Sequence, residues 1–345
     1  MRVVRLLKPY EFQISEEDAP SPGREEVLVQ SQSVGVCASD IHYYKHGGIG
    51  DARPRGPIIL GHEPMGRIVD VGEGVGSDWI GKRVAIEPGI PCFECEHCLS
   101  GNLNLCPNVR FFGSPPIDGA FREKFCHPAC LVEPVPDDFS DEMGAILEPL
   151  GVAIHAVDLI QPKTGVSTVV VGCGAIGLCT IAMLRAAGAS PIYAVDPLEY
   201  RTEIALQVGA TQVIAKEGKE AVEEILSLTE GKGCPTAFEA AGYASAHQPT
   251  LDMASIGAKV MIIGISAENH VSFEEGRARR KGLTIYMCRR SRNTLKRGIE
   301  LISSGRIDLS PLVTHHFNLD QVTDAFETAA NYRDGVIKAV VHPSD

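Results

Sequence analysis

The sequence predicts an α/β chain of two parts, an antiparallel barrel-like domain and a doubly wound parallel-sheet domain. Three observations predict it. Up to about residue 135, short apolar runs alternate with Gly and Pro clusters. From about 165, apolar runs alternate with stretches of helical composition. Between them, Gly172-Cys-Gly174-Ala-Ile-Gly177 follows one such run directly and opens a helix.

In the first part, residues 26–34, 67–71 and 82–86 read as strands bounded by turn residues. In the second, 168–171 is continuously apolar, as a strand buried on both faces must be, and 175–188 is helical. A strand is expected at 192–195, then a helix, and further strands at 212–214, 236–239, 259–264 and 283–287. A helix at 294–304, a polar link and a closing strand at 336–341 complete the expectation, with no internal repeat.

The 345 residues are 44% hydrophobic and 22% charged, an ordinary globular balance at a length that suggests two domains. The formal charge of −12 repels nucleic acid phosphates and anionic membrane surfaces, so neither is an expected partner. Charge interrupts the apolar residues of the opening MRVVRLLKPYEF too soon for a secretory signal. Residues 164–184 are uncharged and long enough to suggest a membrane span, but their glycines fit a dinucleotide-binding strand–turn–helix better. Eleven cysteines, an odd number, in a chain too long to need disulfides point to metal ligands in a reducing, cytoplasmic setting.

Cys92, Cys95, Cys98 and Cys106 form C-x2-C-x2-C-x7-C in a loop with Pro91, Gly101 and Pro107. Four thiolates at that spacing can close a tetrahedron around zinc and leave no open position, which defines a structural site. A ferredoxin cluster would place three residues, not seven, before the last cysteine. The other six cysteines (126, 130, 173, 179, 234, 288) show no metal spacing and read as buried packing.

In the fingerprint, Gly172 permits the tight turn, Gly174 lets a pyrophosphate approach the backbone, and Gly177 permits close helix packing. Asp196 ends the next strand, 19 residues past Gly177, where its carboxylate would accept the adenosine ribose hydroxyls and repel a 2′-phosphate. NAD is therefore favoured over NADP. Cys37, His62, Glu63 and Glu148 are donors too dispersed for spacing alone to unite.

The chain resembles the zinc-dependent medium-chain dehydrogenases, and within them the sorbitol (polyol) dehydrogenase branch. The carriers are Cys37-Ala-Ser-Asp-Ile-His-Tyr-Tyr-Lys-His-Gly-Gly-Ile-Gly50, Gly61-His-Glu63, the four-cysteine loop, and Ser114-Pro-Pro-Ile-Asp-Gly119. Ile146-Leu-Glu-Pro-Leu-Gly-Val-Ala-Ile-His155, the glycine fingerprint and Leu312-Val-Thr-His315 complete the set, which spans essentially the whole chain. The resemblance implies a GroES-like barrel domain from both chain ends (1–150 and 289–345) and an inserted Rossmann domain (151–288), with substrate meeting nicotinamide in a cleft. It implies two zinc ions per chain. Cys37 and His62 would bind the catalytic one, with Glu63 or Glu148 as third ligand and the fourth position open to water or a substrate oxygen.

The implied reaction moves a hydride from a secondary alcohol of a polyol or sugar-derived substrate to NAD, giving a ketone. Ser39 and His42 fit the family's proton relay, with Ser39 as helix cap and His42 as exposed residue the blander alternative. Glu148 could instead act from behind the metal as a base. Tyr43 and Arg290 match substrate-contacting positions, although Tyr43 could be core packing. Ile176, Arg201, Gly264, Ile265 and Arg289 match further cofactor contacts, with Arg201 alternatively a solvated helix charge. Relatives imply a homodimer or homotetramer.

The branch commonly carries Phe-Arg-Tyr where this chain has Arg289-Arg290-Ser291, so one aromatic substrate contact is missing. From Gly276 to Gly298 there are nine basic residues and no acid. Such a run is a solvated or acid-paired face, or a site for an acidic or phosphorylated sugar derivative. The same chemistry on threonine, 2,3-butanediol, a sugar acid or a sugar phosphate, and a zinc-free quinone reductase of the same fold, are the alternatives.

Overall fold

The computed structural model describes every residue except Asn269 and Asp345. By internal contacts the chain divides into two compact units. One comprises Met1–Glu148, Leu295–Ser303 and Val313–Asp345, and the other Pro149–Thr294 and Ser304–Leu312.

The first unit is built on a seven-stranded sheet. Its path runs Val313–Asn318, Lys338–His342, Glu26–Gly35, Glu63–Val71, Arg83–Ile86 and Val132–Pro134, and Lys124–Pro128 also pairs with Glu26–Gly35. Every pairing is antiparallel except Val313–Asn318 on Lys338–His342. Register shifts at Leu28/Val29 and Ser31/Ser33 act as bulges that bend the long central pair, so that it curls around a common core. Val27, Val29, Val34, Ile68, Phe121, Phe125 and Phe326 are all fully buried in that core. A two-stranded hairpin, Arg2–Lys8 with Glu11–Glu16, precedes the sheet.

The second unit contains a six-stranded, wholly parallel sheet. Its order is Gln212–Ile214, Ile192–Val195, Thr168–Val171, Cys234–Glu239, Ala254–Ile262 and Thr284–Met287. In chain order this is 3-2-1-4-5-6, the dinucleotide-binding arrangement. Thr168–Val171 is buried at all four positions, as its unbroken apolar run requires. The uncharged stretch that could suggest a membrane span is this strand plus the helix Ala175–Ala186. Among the described residues no helix is long and apolar enough to cross a membrane.

Two expectations need correction. The polar link before the closing strand holds a strand, Val313–Asn318, and a helix, Val322–Ala330. The strand alternates half-buried and exposed positions and so lacks an apolar run, while the helix buries Val322, Ala325 and Phe326 in a sequence rich in Thr, Asp and Glu. Nor are all six remaining cysteines buried: Cys173, Cys179 and Cys234 are, Cys126 and Cys288 are half-buried, and Cys130 is exposed on the turn Ala129–Leu131.

Candidate metal and cofactor sites

The helix Ala38–His46 begins directly after Cys37 and ends at Gly47, whose φ of 67° forms a left-handed cap. Asp40, fully buried at its third position, ties the start of this helix to the loop Gly61–His62. One carboxylate oxygen accepts from Cys37 N at 3.2 Å, and the other accepts from Gly61 N at 3.5 Å. That second oxygen also lies 3.3 Å from His62 Nδ1. Nδ1 bonded in this way leaves Nε2 as the nitrogen that could bind a metal. Asp40 is the functional residue that sequence reasoning missed. Its signal was the spacing of an acid three residues past the helix N-cap.

One donor atom each from Cys37, His62 and Glu63 lies within 4.8 Å of the others. Burial opposes a charged His62, but Asp40 and then the Cys37 thiol outweigh it and raise its pKa. The surroundings therefore favour a cation at His62. A thiolate, an imidazole and a carboxylate with that bias fit zinc. Glu148 stands outside this three-residue set. Burial first, and the Glu63 and Glu87 carboxylates next, push its pKa up to about 7 against the pull of His62.

Ser39 Oγ lies 3.4 Å from His62 Nε2, the ring nitrogen opposite the Asp40 contact. His42, one turn further along, shares a helix face with Ser39 and is half-buried. Tyr43 is 3% exposed, and its hydroxyl meets Ser114 Oγ at 2.8 Å. The Phe111 ring lies 5.3 Å from that of His62.

The four-cysteine loop folds as a separate lobe, closed at its base by the pairing of Gly89–Ile90 with Arg110–Phe111. Its sulfurs approach one another at 3.4 Å (Cys95–Cys98), 3.5 Å (Cys92–Cys106) and 3.9 Å (Cys92–Cys98). A zinc–sulfur bond of about 2.3 Å makes the edge of a regular tetrahedron about 3.8 Å, so the thiols fit one ion. Backbone N–H groups of Glu94 and Cys95 point at Cys92 and lower its pKa to about 6, which favours the thiolate that a metal needs.

In the second unit the candidate cofactor residues follow the carboxyl ends of four parallel strands, the edge where such sheets bind nucleotides. Gly172 has φ 96°, and a Cβ there would lie 2.5 Å from Ala241 N, whereas one at Gly177 would lie 1.8 Å from the Gly172 carbonyl oxygen. Gly174 faces open space, and Ile176 is half-buried in the first turn of the helix. Asp196 is buried, and its carboxylate accepts from Cys173 N at 2.8 Å and from Leu198 N at 3.0 Å. Arg201 Nη1 lies 3.7 Å from the same carboxylate. Gly264 and the exposed Ile265 follow Ala254–Ile262, and Arg289 and Arg290 follow Thr284–Met287. Arg290 adopts a left-handed φ of 57°.

The N-terminal part of the basic run is paired locally. Arg277 meets Asp252 at 2.9 Å and Glu274 at 3.5 Å, and Arg279 meets Glu275 at 3.0 Å. Lys281 donates to the carbonyls of Leu251, Asp252 and Ala254.

A sheet ordered for a dinucleotide, a closed four-sulfur lobe and an open Cys–His–Glu set together define a metal-dependent dehydrogenase. Residues 23–137 match the alcohol dehydrogenase GroES-like domain, and residues 175–304 match the zinc-binding dehydrogenase domain. The chain is 37% identical over 344 residues to the sorbitol dehydrogenase of Bacillus subtilis, covering 100% of this chain and 98% of that one. An Escherichia coli oxidoreductase of unknown specificity, ECK1772, superposes with a TM-score of 0.94 at 35% identity, covering 100% and 99% of the two chains. An alcohol dehydrogenase from E. coli CFT073 in complex with NADH superposes with a TM-score of 0.91 at 28% identity, covering 99% of each. The chain belongs to the zinc-containing alcohol dehydrogenase family, in company with polyol dehydrogenases.

Proposed function

We propose that this enzyme oxidises a secondary alcohol of a polyol or sugar-derived substrate to a ketone, with NAD as hydride acceptor. The convergence of Cys37, His62 and Glu63 carries the reading, because three protein donors leave a fourth position for a ligand oxygen. The zinc-free reductase alternative gives that buried donor set no task. Relatives that include a sorbitol dehydrogenase support the substrate class.

Cys37, His62 and Glu63 would hold the catalytic zinc, and Cys92, Cys95, Cys98 and Cys106 the structural one. When bound, the catalytic ion supplies Lewis acidity toward the alcohol oxygen, and the dinucleotide accepts the hydride. Asp40 fixes the His62 tautomer from the far side of its ring. Ser39 Oγ, beside His62 Nε2, takes the alcohol proton and hands it on toward the His42 imidazole. Glu148, its pKa pushed up to about 7 by burial, would orient a neighbouring water as a base. Tyr43, steadied by Ser114, and Arg290 orient substrate hydroxyls.

Gly172, Gly174, Ile176 and Gly177 would cradle the pyrophosphate, and Asp196 and Arg201 would border the adenosine ribose. Gly264, Ile265 and Arg289 would contact the remainder of the dinucleotide. Asp196→Ala is expected to lower the ratio of kcat/KM for NAD over NADP by about 10-fold or more, since the carboxylate both binds the ribose and repels a 2′-phosphate. The ratio cancels any uniform loss from disturbing the Cys173 contact. An unchanged ratio would remove Asp196 from cofactor selection.

The test of the reaction is NADH release at 340 nm, with zinc present, over polyols, aldonic acids, sugar phosphates, threonine and simple diols. Turnover of polyols above the others is the expected result. Exclusive turnover of sugar acids or phosphates would transfer the substrate to the anionic class, with Arg290→Ala then raising KM for those substrates far more than for neutral polyols. No turnover of any alcohol by protein containing two zinc ions would sink the proposal.

We also place the enzyme in the cytoplasm as a homodimer or homotetramer. The odd count of eleven cysteines, four of them at metal-ligand spacing, supports the reducing compartment. Thr284–Met287 ends the parallel sheet with Ile285 37% and Met287 70% exposed, a sheet edge suited to pairing with a second copy.

A further inference from the structure

Lys338 is 3% exposed, on the strand Lys338–His342, and its ammonium faces the metal-donor set. It forms an ion pair with Glu63 Oε2 and donates to the Val36 carbonyl at 3.1 Å. Both partners adjoin donors, since Val36 precedes Cys37 and Glu63 follows His62. The backbone makes room for this pair at Gly35, where a Cβ would lie 2.1 Å from Glu63 Oε2 and 2.8 Å from Lys338 Cε. No side chain larger than hydrogen fits there. The pair is thus built into the wall of the site.

A buried ammonium is costly to desolvate and persists only beside compensating negative charge. Here that charge is a carboxylate that a divalent ion also needs. We propose that Lys338 is the internal counter-cation of the Cys37–His62–Glu63 set, neutralising Glu63 while the set is metal-free and weakening its hold on a divalent ion. The inference rests on the reading of those three residues as metal ligands.

Two consequences follow from charge alone. Without Lys338 the metal-free set carries uncompensated anions, so the stripped protein loses stability, whereas the loaded protein keeps a cation in place. The same change removes a positive charge from beside the incoming ion, so affinity rises. A lysine serving only to knit two strands together would leave metal affinity unchanged.

The experiment is zinc titration of the metal-stripped full-length protein against a chromophoric chelator, with thermal melts of the stripped and loaded forms. The four-cysteine site serves as internal control. Wild-type protein binding only one zinc would overturn the metal-site reading itself. Given two, K338M is expected to tighten the second site by about 10-fold or more and to widen the gap between stripped and loaded Tm, while K338R stays near wild type. Unchanged or weaker binding by K338M overturns the inference alone. If K338M does not fold, E63Q and the double variant E63Q/K338M replace it. Tighter zinc binding by the double variant than by E63Q supports the role, and equal or weaker binding overturns it.

Discussion

His62→Ala is expected to lower kcat/KM for alcohol oxidation by about 1,000-fold or more, and to reduce bound zinc from two ions per chain to one. Lewis-acid polarisation of the reacting oxygen is worth several kcal/mol, and each 1.4 kcal/mol is about tenfold in rate. The loss should be this large because His62 is the central donor of its set. Asp40 holds Nδ1 at 3.3 Å, Ser39 lies 3.4 Å from the other nitrogen, and Glu63 is its neighbour in sequence. Removing the ring leaves Asp40 buried and facing a void, so a modest fall in Tm should accompany the loss of metal. Dinucleotide binding, followed by NADH fluorescence, should survive because the glycine fingerprint and Asp196 belong to the other compact unit. A variant that keeps both zinc ions and full turnover would remove the proposed chemistry while leaving the nucleotide fold intact.

Asp196→Ala and K338M act on other parts of the same machinery, and their expected results separate cofactor choice from metal affinity. Asp40→Asn would probe the hold on His62: an amide has one acceptor oxygen in place of two, so if that oxygen stays with Gly61 N and Nδ1 as a weaker acceptor, its NH2 is turned toward Cys37 N and that contact is lost.

The legible parts of the molecule were those whose chemistry is local in sequence. The cysteine spacing in 92–106 brings its four sulfurs together through one short loop, and the fingerprint at 172–177 is a single turn between strand and helix. Thr168–Val171 announced itself because burial on both faces leaves no polar position. Cys37, His62 and Glu63 were identified only through resemblance, since two loops from different strand ends meet there and no spacing rule encodes the meeting. In the sequence Asp40 and Lys338 stand out as no more than motif and strand residues, because their roles depend on contacts across 22 and 275 positions to His62 and Glu63. The helix Val322–Ala330 escaped because its buried face is small, with three alanines among nine residues, and its other face is ordinary solvent-facing polarity.

Cys98→Ala should unfold the four-cysteine lobe without stopping nucleotide binding. The lobe has little else to hold it. Its helix Glu96–Leu99 has four residues, far below the length at which a helix persists alone, and Phe93, Leu99 and Leu105 are exposed rather than packed inward. Cys98 and Cys106 are buried among the other sulfurs, so the four sulfurs, and the ion they would hold, stand where a hydrophobic core would. Structural zinc contributes about 10–16 kcal/mol in isolated zinc-binding peptides, where it drives the entire folding. In this chain only the lobe depends on it, and a loss of about 3 kcal/mol at about 3 °C per kcal/mol gives a Tm lower by about 10 °C. Zinc should again fall from two to one per chain, but this time with the remaining ion at Cys37 and His62. New protease cleavage should appear between residues 93 and 108, and residual turnover per folded molecule should exceed that of His62→Ala. If the lobe resists protease and Tm stays within about 1 °C of wild type, the four thiols are not what folds it, and the assignment of a structural ion there fails.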